Sequence, residues 1–207
     1  MWVLVQDETI IKTFSHAKGF VLNDTQYPRD IFTKWTKEEK EAIGIYEVIV
    51  DSINYKDSEY YNNTDSTIAF ANNQATVSWG TPTAKNLVDE NLVDENNNPV
   101  LDSDGNQIIN YGLKTEKKKI IKQQAADLLS KTDWYVVKAT EVADYTVPAD
   151  ITTYRTNVRA KSNEMETKID NAADVDALKA LHDYVNTGTF ESPVIVRPLG
   201  EWPEEVI

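Results

Sequence analysis

Short apolar runs open the chain. Residues 2–5, 9–14 and 18–22 carry Val, Leu, Ile and Phe, interrupted at Gln6-Asp7-Glu8 and Ser15-His16, and predict three short strands. Residues 23–28 form a turn cluster in which Pro28 biases Tyr27 to extended backbone. Thr36 and Glu39 stand at capping-box spacing and predict a helix of about two turns that stops at Gly44. Residues 45–51 alternate as a strand does. Beyond them, residues 67–70 and 75–79 flank Asn72-Asn73-Gln74, a hairpin pattern.

The texture then changes. Asn86-Leu87-Val88-Asp89-Glu90 recurs at once as Asn91-Leu92-Val93-Asp94-Glu95, a local duplication too short for a solenoid. Residues 99–109 place two apolar arms around Asp104-Gly105 and predict a hairpin. Residues 83–112 are therefore expected to project as an exposed acidic arm. From Thr115 the period becomes that of a helix, with Ile121, Ala125, Leu128 and Leu129 opposite a row of lysines. Trp134 to Val137 fits either a helix or a strand, and Trp134 is expected in the core. Pro148 opens a helix whose apolar face is Ile151, Tyr154, Val158, Met165 and Ile169. A last helix, capped by Asp174, would bury Val175, Leu178, Leu181 and Val185. Residues 191–207 hold three prolines and read as extended.

This order predicts an α+β fold with four parts. They are a strand–helix–strand unit (1–54), a β-rich segment with the exposed arm (55–113), a helical module (114–188) and an extended tail (189–207).

Charge narrows the function. Lys and Arg number 21 against 34 Asp and Glu, a net charge of −13 in 207 residues. So acidic a surface argues against nucleic acid as a partner. No run of 18 apolar residues occurs, so no membrane partner is expected. The N-terminus lacks a basic flank followed by an apolar stretch, which points to synthesis in a cytoplasm without a signal peptide. With no Cys, thiolate chemistry and Cys-ligated metals are excluded. Asp102-Ser103-Asp104-Gly105-Asn106 begins like a calcium loop, but its twelfth position is Leu113 where a bidentate Glu is required. His16 and His182 have no nucleophile elbow to serve. No phosphate-cradling glycine motif is present. The expectation is a chain without catalytic residues, metal or cofactor. Recognition surface remains, because Tyr, Trp and Arg concentrate at interface cores. The candidate partner-binding residues are Tyr60, Tyr61, Arg155, Arg159 and Trp202.

Residues 126–160 carry Leu128-Leu129, then Thr132-Asp133-Trp134, then Val147-Pro148, Ile151, Tyr154-Arg155, Val158 and Arg159. This spacing resembles the C-terminal module of tail-fibre assembly and tail accessory proteins of tailed bacteriophages. Tyr27-Pro28, Trp35-Thr36, Glu39 and Ile43-Gly44-Ile45 are similar to an N-terminal element of small virion proteins from related phages. The resemblance spans a third to a half of the chain. It implies a virion structural protein of the tail or tail-fibre attachment region, made in the host bacterial cytoplasm. Such a protein would act as a non-enzymatic adaptor, oligomeric in the particle, with other tail or fibre proteins as partners. The alternative is a transient tail-fibre assembly chaperone absent from the mature virion.

Overall fold

The computed structural model describes residues 1–206. Strands and helices segregate along the chain, and the fold is α+β. Two compact units result, Met1–Thr83 and the part from Ala84 onward. The boundary expected near residue 54 falls inside the first unit, because residues 66–79 complete its sheet.

The first unit contains β1 (Trp2–Gln6), β2 (Thr9–Phe14), β3 (Phe20–Leu22), β4 (Thr25–Tyr27), α1 (Ile31–Lys34), α2 (Lys37–Glu41), β5 (Ile45–Val50), β6 (Tyr61–Asn62), β7 (Ser66–Ala71) and β8 (Gln74–Trp79). Five strands form one sheet in the order β2-β1-β5-β8-β7. Residues 45–47 of β5 pair antiparallel with β1, and residues 48–50 pair in parallel with β8. The outer strands β2 and β7 approach one another, so the sheet curls toward a barrel. Strand alternation sorts the side chains. Val3, Val5, Val48, Ala75 and Val77 line one face, and Leu4, Phe14 and Ile45 pack on the other against Phe20, Ile31 and Phe32. A bulge between Leu4 and Val5 sets Ile10 opposite Val5 and leaves Ile11 outside.

Local chemistry explains the connections. Asp7-Glu8, Asn23-Asp24 and Asn72-Asn73 all have positive φ at both residues, the geometry of two-residue hairpin turns. Both capping-box hydrogen bonds form, Glu39 N–H to Thr36 Oγ1 at 3.2 Å and Thr36 N–H to Glu39 Oε2 at 2.8 Å. Gly44 has φ +80°, and a Cβ there would come within 2.4 Å of the Val5 carbonyl oxygen. Only glycine lets β1 pass this close.

After β9 (Thr83–Ala84), at the junction, the second unit holds β10 (Glu90–Asn91), β11 (Ile109–Asn110), α3 (Leu113–Ser130), α4 (Asp133–Glu141), α5 (Ala149–Asn171), α6 (Val175–His182), β12 (Val185–Asn186) and β13 (Ile195–Val196). The long helices α3 and α5 pack together. Ile151, Tyr154, Val158, Met165 and Ile169 are all buried, as the helical period requires. Asp174 caps α6 by accepting the Ala177 N–H at 2.8 Å. Val185, however, lies past the helix in β12 and is exposed. The aromatic segment after Asp133 is the helix α4. Its Trp134 is 52% exposed, which corrects the expectation of a core residue.

Between β10 and β11 the chain makes a knob, where one hairpin was expected. It contains two successive eight-residue turns, 93–100 and 101–108. Asp94 Oδ1 accepts the Asn96 and Asn98 N–H groups at 2.8 Å each. Asp102 Oδ1 accepts those of Asp104 and Asn106 at 2.9 and 2.8 Å. These bonds hold both carboxyls below the usual aspartate range; the largest cause for Asp94 is the Asn98 backbone N–H and for Asp102 that of Asn106. The Asp102 loop thus directs its carboxylate at its own backbone. Structure therefore repeats every eight residues, while the five-residue sequence repeat does not repeat in structure. Asp89, in the first copy, accepts the Gly112 N–H at 2.8 Å, whereas its counterpart Asp94 closes a loop.

Candidate protein-binding surface

The motif carrying the phage resemblance converges on one corner of the second unit. α3 ends at Ser130, and α4 begins at Asp133. Arg155, one helical face of α5 away from solvent, fills the angle between them. Its guanidinium donates to the Leu129 carbonyl at 2.9 Å and to Thr132 Oγ1 at 2.7 Å, and pairs with Asp133 at 2.8 Å. Thr132, itself 3% exposed, donates its hydroxyl to the same Leu129 carbonyl at 2.9 Å. A helix C-terminus leaves carbonyls without helical partners, and the planar fork of arginine reaches the Leu129 carbonyl, the Thr132 hydroxyl and the Asp133 carboxylate together. Leu129, Thr132, Asp133 and Arg155 therefore form an internal clamp. This corrects Arg155 as a partner-binding residue: 9% exposed, it is committed to its own chain.

The other candidates separate. Arg159 is exposed on α5, with only a long 3.4 Å contact to the Arg155 carbonyl. Tyr60 and Tyr61 are 2% and 7% exposed, so neither ring is offered to a partner. Trp202, expected at an interface, is partly buried against the cluster of Ala125, Tyr154 and Val158, and its indole N–H donates to Gln124 Oε1 at 3.1 Å. The tail is held too. Leu199 is fully buried, its N–H donates to the Leu181 carbonyl at 2.8 Å, and Lys131 pairs with Glu205.

The surface that sequence reasoning missed is the hairpin β12–β13. Val185 pairs with Val196 and Asn186 with Ile195, and the connecting loop is stitched by Asn186 Oδ1, which accepts the Gly188 and Val194 N–H groups at 2.9 Å each. Two strands cannot bury both of their faces. Tyr184, Val194 and Ile195 are 65%, 51% and 59% exposed, and Phe190 at the loop tip is entirely so. Glu191 is the only ionisable acid or base of the Asp, Glu, Lys and Arg class in residues 184–196. A signal was available: a thirteen-residue stretch with one such charge in a chain of net charge −13. It was obscured because Val185 also fits the helical period of α6.

Open clefts of about 570 Å³ beside Lys118 and Lys122 of α3, 590 Å³ beside Asn72-Asn73 and 460 Å³ beside Tyr46 and Gln74 lie on the surface. A cavity of about 90 Å³ lies among Lys131, Thr132, Trp134, Tyr135, Tyr154 and Glu205. The Tyr154 hydroxyl is buried there without a hydrogen-bond partner, and burial pushes its pKa up. The volume is well below that of an ordinary small-molecule site. Among the described residues, no group of three or more acidic or His side chains is placed to hold a metal ion, and no helix is long and apolar enough to cross a membrane. No protein-family model, curated protein sequence or solved structure matches the chain at a significant level.

Proposed function

We propose that this chain is a non-enzymatic adaptor that binds other proteins. On its resemblance to phage tail accessory proteins, we assign it to the tail or tail-fibre attachment region of a bacteriophage particle. The hairpin β12–β13 carries the reading. Exposed apolar side chains on both faces of a hairpin, in an otherwise acidic chain, mark an interaction site. Its outer strand edges have no neighbour among the described residues, and such edges accept a further strand from a partner. The apolar side of α4, with Trp134, Val136 and Val137 exposed, offers more surface of the same kind in the same unit. A stable interface buries about 800 Å² on each side, more than the tip of one hairpin provides.

Protein identification on highly purified particles, with copy number by quantitative mass spectrometry, tests the assignment. Several copies per particle are expected. Absence from particles, with the chain bound to fibre protein in the producing cell, would instead mean an assembly chaperone. Absence from both would refute the phage assignment. Phe190→Ser separately tests the surface: incorporation should fall while the thermal midpoint of the isolated chain stays unchanged.

A further inference from the structure

The knob has a hidden symmetry. The Val100 N–H donates to the Leu92 carbonyl, the Ile108 N–H to the Val100 carbonyl, and the Leu92 N–H to the Ile108 carbonyl, each at 2.9 Å. These residues stand eight apart, and their bonds close a ring. The flanking pairs obey the same rule, with Asn91 opposite Ile109, Pro99 opposite Val93, and Gln107 opposite Leu101. A pseudo-threefold axis therefore relates three short strands. At its centre the Gln107 amide nitrogen lies 2.8, 3.2 and 2.8 Å from the carbonyls of Leu92, Val100 and Ile108.

Strand alternation separates Leu92, Val100 and Ile108, which are partly buried, from the residues that follow each of them. Val93, Leu101 and Ile109 occupy equivalent positions and are 44%, 53% and 40% exposed. Six carboxylates accompany them, Asp89, Glu90, Asp94, Glu95, Asp102 and Asp104, and residues 86–113 hold no Lys or Arg. The hydrogen bonds at Asp94 and Asp102 keep those two ionised into acid. The result is three equivalent exposed apolar side chains in a segment whose charged side chains are all acidic.

We propose that these three side chains dock on the threefold axis of a homotrimeric protein, whose axial surface is an apolar depression ringed by Lys or Arg. A trimer axis presents three copies of one pocket, so three equivalent side chains engage it with one set of contacts. The single-sign charge of the segment selects a basic partner and disfavours a second copy of this chain, nucleic acid or an anionic lipid surface. The proposal rests on the adaptor reading for the existence of a partner, but it uses a surface separate from β12–β13.

A photo-crosslinking residue is placed in the full chain at Val93, Leu101, Ile109 or Phe190, one position at a time, in the cell that naturally makes the protein. The three knob positions are expected to mark the same residue of one partner. Native mass spectrometry of the purified complex is expected to give three partner chains to one of this protein. With that partner, Leu101→Glu should weaken binding about tenfold or more without lowering the thermal midpoint, and added salt should weaken the unmodified complex. Different partner residues from the three positions, a one-to-one complex, adducts with a second copy, or no knob adducts would each overturn the proposal. Adducts from Phe190 alone would leave the adaptor reading standing and remove the trimer; adducts from no position would remove both.

Discussion

The Arg155 corner and the Gln107 knob use one device in opposite surroundings. In each, a single polar side chain ties backbone and side-chain groups together: Arg155 joins the Leu129 carbonyl, the Thr132 hydroxyl and Asp133 at the corner, and Gln107 joins the carbonyls of Leu92, Val100 and Ile108 in the knob. The corner sits on a packed bundle, with Tyr154 3% exposed and Val158 fully buried beside it. The knob has no fully buried apolar side chain between residues 86 and 111. Hydrophobic burial fixes the first, and the polar groups only choose its geometry. In the second, local hydrogen bonds fix the shape almost alone. The lesson concerns which apolar residues a chain can leave outside: the bundle consumes its apolar face, while the knob is shaped by polar contacts and leaves Val93, Leu101 and Ile109 exposed.

Substitutions can break this contrast. The largest effect is expected from Arg155→Ala, which removes the guanidinium that joins the Leu129 carbonyl, the buried Thr132 hydroxyl and Asp133, and should destabilise the second unit by about 2–3 kcal/mol in chemical denaturation. Arg155→Lys should rescue little, because one ammonium cannot reproduce the fork. Trp202→Ala, at the half-buried edge of the same bundle, should cost about 1–2 kcal/mol. A negligible loss would return Trp202 to the interface role first read for it. Gln107→Ala should cost about 1 kcal/mol, confined to the knob. Hydrogen exchange at Leu92, Val100 and Ile108 would accelerate while the bundle amides hold. Slowing of the whole molecule's refolding, or global destabilisation, would show that the knob is not independent of the bundle. Trp134→Ala should change stability by only about 0.5 kcal/mol, since the ring is half exposed.

The smallest effect is one of pH. Asp94 and Asp102 have folded pKa values below their unfolded values. Their contribution is therefore complete above the unfolded aspartate value near about 4 and is lost as pH falls through the depressed folded values. NMR shifts of the Asn98 and Asn106 amides should report loosening of the two turns in acid, with the bundle unaffected. Simultaneous change in both regions would show that knob and bundle are not independent.

Much of the fold is legible from local chemistry. The Thr36–Glu39 capping box, the Asp174 cap, the Asn72-Asn73 turn and the five buried positions of α5 each rest on neighbours a few residues away, and sequence spacing carries that information. α1 was missed because four residues hold no full helical period. The knob was misread because Asp104-Gly105 is a strong hairpin signal that conceals a second turn of the same kind at Asn96-Asn97, where Asn97 takes positive φ in place of glycine.

By itself, then, the sequence determined the α+β class, most element positions and the acidic character of the chain, since periodicity, capping and charge are properties of short stretches. Tertiary structure alone decided the partners. It turned Arg155 inward to Thr132 and Asp133, brought Trp202 back onto α3, closed three strands into a ring at Leu92, Val100 and Ile108, and left Phe190 in solvent. Burial and hydrogen-bond satisfaction are settled between residues from eight to 78 positions apart, and no short pattern records which group will arrive.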